Sequence, residues 1–200
     1  MDNLWQLLEE LRVHAANGLH YANNHYDRER YGRLLELASG AYADLLELPA
    51  AEVRRRFGAE LGTVTPKVGA NAAIFDGEGR ILLVRRADNE RWCLPCGWME
   101  PDETIAETAV RETWEEAGLR VAVRQLVDVI SHLPGPDMGP HTFVSVVYLC
   151  EVTGGEVRGS HEGEELAYWE IEAVADWHMA HREYALAARA AWRERLGPGA

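Results

Sequence analysis

Two hundred residues, 47% hydrophobic and 26% charged, describe a globular chain with a real core, large enough for one domain with an appendage or for two small ones. The formal net charge of −13 disfavours sequence-blind binding to nucleic acid, which needs a basic footprint, and repels anionic membrane surfaces. No apolar run reaches bilayer length, the acidic N-terminus lacks the basic region of a secretory signal, and three cysteines give no disulfide framework, so the cytoplasm is the expected address.

Residues 1–64 read as a small all-helical module. Leu4, Leu7, Leu8, Leu11 and Val13 trace an amphipathic first helix, which the segment Gly18 to Tyr26 is expected to break. Asp27 is placed to cap a second helix from Arg28 to about Glu47, with Tyr31, Leu34, Leu35, Leu37, Ala38, Tyr42 and Leu45 as its apolar residues. Pro49 punctuates, a short third helix runs from about Ala51 to Phe57, and Gly62 to Lys67 reads as the linker. So short a module is marginal for a core of its own, and its apolar stripes must be covered by its own domain or by a second subunit.

Residues 65–200 change to strands. Val68 to Phe75, the turn Asp76-Gly77-Glu78-Gly79 and Arg80 to Val84 form a hairpin pattern. Arg85, Arg86 and Arg91 follow, and Leu94-Pro95-Cys96-Gly97 reads as a tight turn. Pro101 and Asp102 open a helix, with Asp102 as N-cap, and Gly118 closes it. Leu119 to Ser131 and His141 to Val152 read as strands around the Pro/Gly-rich loop His132 to Pro140. Val152 to Glu156 is a turn, Glu165 to Ile171 a last strand, and Val174 to Trp177 and Arg182 to Leu196 are helical.

The helix before Gly118 carries the chemistry. Ala106, Ala109, Val110, Thr113 and Ala117 give it a packing edge at helical spacing. Glu112 shares the other edge with Glu115 and Glu116, three and four residues on. Like charges so placed repel, and a hard divalent cation offsets that repulsion while holding substrate phosphates. A lone E-x-x-E-E is more often solvated surface; a turn, a capped helix and a packed opposite edge make this one a displayed metal platform.

The stretch Gly97 to Leu119 resembles the Nudix box, G-x5-E-x7-R-E-U-x-E-E-x-G-U, where U is bulky and apolar. Gly97, Glu103, Arg111, Glu112, Glu115, Glu116, Gly118 and Leu119 fall in register, while one U position holds Thr113. The resemblance implies an α+β fold, the Nudix α/β/α sandwich with a mixed sheet, beside the helical module. It implies metal-assisted hydrolysis of a pyrophosphate bond with Mg²⁺ or Mn²⁺ on Glu112, Glu115, Glu116 and the backbone carbonyl of Cys96. Glu103 is implied to pair with or orient Arg111. Gly18-Leu19-His20-Tyr21 and Tyr26-Asp27-Arg28-Glu29-Arg30-Tyr31 resemble the N-terminal module of one subgroup. That subgroup acts on nucleoside diphosphates linked to another moiety, including ADP-ribose and CDP-choline, and implies a homodimer.

Arg85, Arg86 and Arg91 are candidate phosphate ligands by their closeness in sequence to the box. For the general base, Glu162 and Glu165 are favoured, with Glu115 and His132 as alternatives; histidine titrates near neutrality. Two other functions stay open. One is a nucleotide-binding sensor or regulator with a Nudix-like domain. The other is thiol redox chemistry at Cys93 and Cys96, whose W-C-x-P-C resembles the thioredoxin signature but lacks helix-forming residues after it.

Overall fold

The computed structural model describes residues 2–59, 63–136, 138–158 and 163–196. It divides into two compact units, Met1–Pro66 with His132–Thr142, and Lys67–Ser131 with Phe143–Ala200.

The first unit holds α1 (Asp2–Tyr21), α2 (His25–Leu46) and α3 (Ala50–Gly58). The expected break falls within Gly18 to Tyr26, where α1 runs on through Gly18 to Tyr21 and α2 begins at His25. Gly18 serves packing here: a Cβ on it would stand 2.3 Å from Tyr31 Cδ1, so the Tyr31 ring lies directly against the helix backbone. The cap of α2 is Asn24 and not Asp27, because the Asn24 side chain accepts from Asp27 N at 2.9 Å. Leu8, Tyr42, Ala43, Val53 and Phe57 form the buried cluster of this unit.

A polar knot sits beside that cluster. Glu9 accepts from Arg12 Nε and Nη2 at 2.8 and 2.9 Å, from Tyr42 Oη at 3.0 Å, and lies 3.1 Å from His141 Nδ1. Tyr42 Oη also reaches the Pro140 carbonyl at 2.9 Å. The loop His132–Thr142 thus belongs with the helices, an association that no local sequence pattern announces.

The second unit contains β1 (Lys67–Ile74), β2 (Ile81–Arg86), β3 (Trp92–Cys93), β4 (Cys96–Trp98), α4 (Ile105–Ala117), β5 (Leu119–His132), β6 (Phe143–Gly155), β7 (Gly163–Trp169), a 3-10 turn (Ile171–Ala173) and α5 (His181–Leu196). A four-stranded sheet has the order β4-β1-β6-β5, with β1 antiparallel to β4 and parallel to β6. A three-stranded sheet has the order β3-β2-β7 and is antiparallel.

Alternation along β1 sends its side chains to two cores. Ala70, Ala72 and Ile74 pack with Ala109 and Ala117 of α4. Ala73 packs with Tyr184, Ala185 and Ala188 of α5. The sheet is therefore covered by a helix on each face, an α+β sandwich with a mixed sheet.

Three expectations are corrected. β1 and β2 are not a paired hairpin: only Phe75 and Ile81 bridge, and the strands enter different sheets. Asp76 sets that corner by accepting from the backbone N–H of Glu78 and Arg80 at 2.9 and 3.0 Å. Val174 to Trp177 is not helical. The turn comes earlier, at Ile171–Ala173, and Trp177 bridges Trp92 instead. The last strand accordingly ends at Trp169 and not at Ile171.

Candidate active site

The start of α4 differs from expectation. Its N-cap is Thr104, not Asp102. The Thr104 hydroxyl accepts from Glu107 N at 3.3 Å while the Glu107 carboxylate accepts from Thr104 N at 2.7 Å. This reciprocal capping box satisfies two otherwise orphaned donors, and it leaves Glu103 just outside the helix. At the other end, Gly118 closes α4 with φ of 69°, and its N–H donates to the Trp114 carbonyl. Thr113, where the box calls for a bulky apolar residue, is fully buried, and its hydroxyl donates to the Ala109 carbonyl at 2.7 Å. The departure is thereby absorbed within the helix.

Arg111 gathers the acidic residues. Its Nε and Nη2 donate to Glu103 at 2.9 and 2.7 Å, a bidentate pair. Its Nη1 donates to Glu112 at 2.8 Å and to Glu115 at 3.0 Å, and Nη2 also reaches the Trp98 carbonyl at 3.1 Å. Glu103 accepts further bonds from Glu100 N and the Thr108 hydroxyl. The Arg111 guanidinium and these donors hold the Glu103 carboxyl down at about 2, and the Arg111 pKa is raised in return.

The carboxylate edge is not displayed as the sequence suggests. Glu115 is half exposed, but Glu112 and Glu116 are buried. Glu112 lies in the space that Gly97 leaves open, since a Cβ there would stand 1.8 Å from Glu112 Oε1. Glu116 Oε2 accepts from Cys96 N at 2.9 Å. Short strand β4, two residues of which touch these carboxylates, replaces the expected turn at Cys96 and Gly97. The donors suit a hard divalent ion: oxygens only, on one helical edge, one of them in a cradle that any side chain at 97 would fill. Among the described residues no three His, Cys, Asp or Glu side chains converge as a cage. Arg111 Nη1 lies between Glu112 and Glu115 instead.

The other candidates fall in several places. Arg85 donates to the Glu90 carbonyl and carboxylate at 3.1 and 3.0 Å, and Arg86 pairs with Asp88 through two 2.8 Å bonds. Arg86 is close enough to Cys96 for its charge to act on that thiol. Arg91 is exposed, and its charge acts on His178, whose pKa falls to about 4 chiefly through burial. Glu165 is exposed on β7 directly opposite Arg85. Glu162 lies outside the described residues. His132 belongs to the other unit; it is buried, and burial lowers its pKa.

The geometry opposes thiol redox chemistry. Cys93 ends β3 and Cys96 begins β4, so neither opens a helix whose dipole would favour a thiolate. The Cys93 hydrogen bond and burial push the Cys96 thiol up.

A further polar group lies inside the sheet. Asn71 and Ser145 are buried on strands β1 and β6, and Tyr184 of α5 hydrogen-bonds Ser145. Asn71 donates to the Val146 carbonyl at 3.3 Å. By alternation Asn71 shares the face of Gly69 and Ala73, opposite α4. The signal was present as polar residues inside apolar strands, V-G-A-N-A-A-I and F-V-S-V-V.

Comparison with known proteins adds an independent finding. A family model described as the NUDIX domain matches residues 65–190, and one described as UDP-X-like, N-terminal oligomerisation domain matches residues 2–57. YjhB of Bacillus subtilis (strain 168), a proposed ADP-ribose pyrophosphatase, is 32% identical over 162 residues, covering 80% of this chain and 77% of that protein. An ADP-ribose pyrophosphatase of Methanocaldococcus jannaschii is 35% identical over 114 residues, covering 55% of this chain and 66% of that protein. The crystal structure of a UDP-X diphosphatase superposes with a TM-score of 0.59 at 22% identity, covering 96% of this chain and 95% of that one, a likeness of fold.

Proposed function

The chain belongs to the Nudix family and is a Nudix-type pyrophosphohydrolase, and from that premise we propose that it cleaves nucleoside diphosphates linked to another moiety with the help of Mg²⁺ or Mn²⁺. ADP-ribose, nucleotide sugars and CDP-choline are the substrates in view. The observation that carries the reading is the network that Arg111 makes with Glu103, Glu112 and Glu115 beside the Gly97 cradle, with Glu116 bonded to Cys96 N on the same helix edge. Relatives named for ADP-ribose and UDP-X support the substrate class.

Glu112, Glu115, Glu116 and the Cys96 carbonyl are the residues proposed to hold the ion. Bound there, such an ion would supply charge neutralisation for the phosphates and would acidify a water. Glu103 fixes Arg111, and Arg111 in turn fixes the rotamers of Glu112 and Glu115. Arg85 and Arg86, at the end of β2, are proposed to meet phosphate, with Arg91 as a third. The proton-accepting group is proposed among Glu162, Glu165 and Glu115, with His132 behind them. Turnover of ADP-ribose in Mg²⁺, then in excess chelator, tests the reading: activity should vanish with the chelator and return with added Mg²⁺ or Mn²⁺. Full activity in chelator overturns it.

Residues 1–64 as a separate module, a homodimer built through it and a cytoplasmic address belong to the same proposal. Leu4, Leu7, Tyr26, Leu34 and Leu37 of the helical unit are exposed and apolar enough to form a subunit contact. Sedimentation of the full chain at twice its mass supports the dimer, and a monomer contradicts it.

A further inference from the structure

We propose that Trp98, seated over Gly69 on the edge strand β4, is the stacking platform for the substrate's nucleobase. This rests on the reading that the site takes nucleoside diphosphates. Trp98 pairs with Gly69 across β1 and β4. A Cβ on Gly69 would stand 3.3 Å from Trp98 Cε3 and 3.5 Å from Cζ3, so the indole lies on bare backbone with no side chain beneath it. Phe143 meets the ring edge-on, centroids 5.7 Å apart at 90°. The carbonyl of Trp98 accepts from Arg111 Nη2, so the residue is tied to the acidic network as well.

Trp98 nonetheless stays 52% exposed. A large apolar ring fixed on two sides and left open on a third loses burial that a smaller residue would not need. Gly97 turns its side-chain direction toward Glu112 on α4, so its neighbour Trp98 points to the opposite face of β4. β4 is an edge strand. A substrate with its phosphates at Glu112, Glu115 and Glu116 can therefore pass the edge and lay its base on the indole. Stacking on a π face tolerates every base, so the platform confers affinity for a nucleotide without choosing one base.

The test is calorimetric titration of the full-length protein with AMP, CMP and base-free ribose 5-phosphate. Trp98→Leu should weaken AMP and CMP about tenfold or more, in line with the loss of one base–aromatic stack. Trp98→Phe should keep most of the affinity, and ribose 5-phosphate should bind both variants as it binds wild type. Equal AMP affinity in wild type and Trp98→Leu, an equal loss for ribose 5-phosphate, or no mononucleotide binding by wild type overturns the platform. Turnover measured alongside separates the claims: Trp98-dependent AMP binding with no hydrolysis of any nucleoside diphosphate derivative upholds the platform and removes the hydrolytic reading.

Discussion

Gly97 and Glu112 compete for one volume: the position of a Cβ on residue 97 is 1.8 Å from Glu112 Oε1. The atoms met are the far end of the Glu112 side chain, so the carboxylate must move from its present place to relieve such a contact. Gly97→Ala should displace the carboxylate by about an ångström and lower kcat by roughly a hundredfold. Overpacking should also cost about 1–3 kcal/mol of stability. Steady-state kinetics and urea denaturation read both, and an unchanged kcat would show that Glu112 owes nothing to residue 97.

Glu116→Gln keeps the size of the side chain and an oxygen for Cys96 N while removing the charge. Loss of a metal-holding carboxylate should cost at least the roughly 10–100-fold in metal affinity or activity that outer-shell changes cost. The fold should stand, because the hydrogen bond to β4 survives. Mg²⁺ titrations of kcat for both proteins check this, and coincident curves would remove Glu116 from the metal set.

The thiols should be dispensable. Cys93→Ser with Cys96→Ser leaves the Cys96 backbone in place, and most of the hydrolase activity should remain. Loss of turnover with intact fold and intact metal response would contradict this.

Much of the box was legible because it is local. Fixed spacing on one helix told which residues share a face, and Gly118 closes that helix as its composition predicts. What was missed depends on distant partners. Burial of Glu112 and Glu116 follows from β4 lying against α4, which a helical wheel does not contain. The cap of α4 lies at Thr104 because the Thr104–Glu107 pair satisfies two backbone donors reciprocally. The β1–β2 connection read as a hairpin because strand pairing and a turn look alike whether or not the strands stay in one sheet. Closeness in sequence alone marks Arg85, Arg86 and Arg91 as phosphate ligands, and two of them already hold nearby acidic partners.

Glu9 should make the helical unit acid-sensitive. Burial alone pushes its carboxyl up, but the hydrogen bonds and charges of Arg12 and His141 outweigh this and bring it from 4.5 to about 2. A depressed folded-state pKa means stability that is fully present above pH 4.5 and drains away as pH falls toward 2. Glu9→Gln should cost about 1–3 kcal/mol near neutrality, because the bonds from Arg12 lose the carboxylate charge that accepts them. The same variant should lose less on going from pH 6 to pH 3 than wild type does. Urea unfolding at both pH values measures it, and parallel losses would place the acid response elsewhere.

The most direct measurement is kcat/KM for ADP-ribose, CDP-choline, UDP-glucose and the common nucleoside triphosphates at one Mg²⁺ concentration. Both substrate classes present a pyrophosphate to the box, so the comparison isolates what the rest of the molecule selects. A nucleoside diphosphate derivative is predicted to lead. A triphosphate ahead by tenfold, about 1.4 kcal/mol of transition-state preference, would contradict the account.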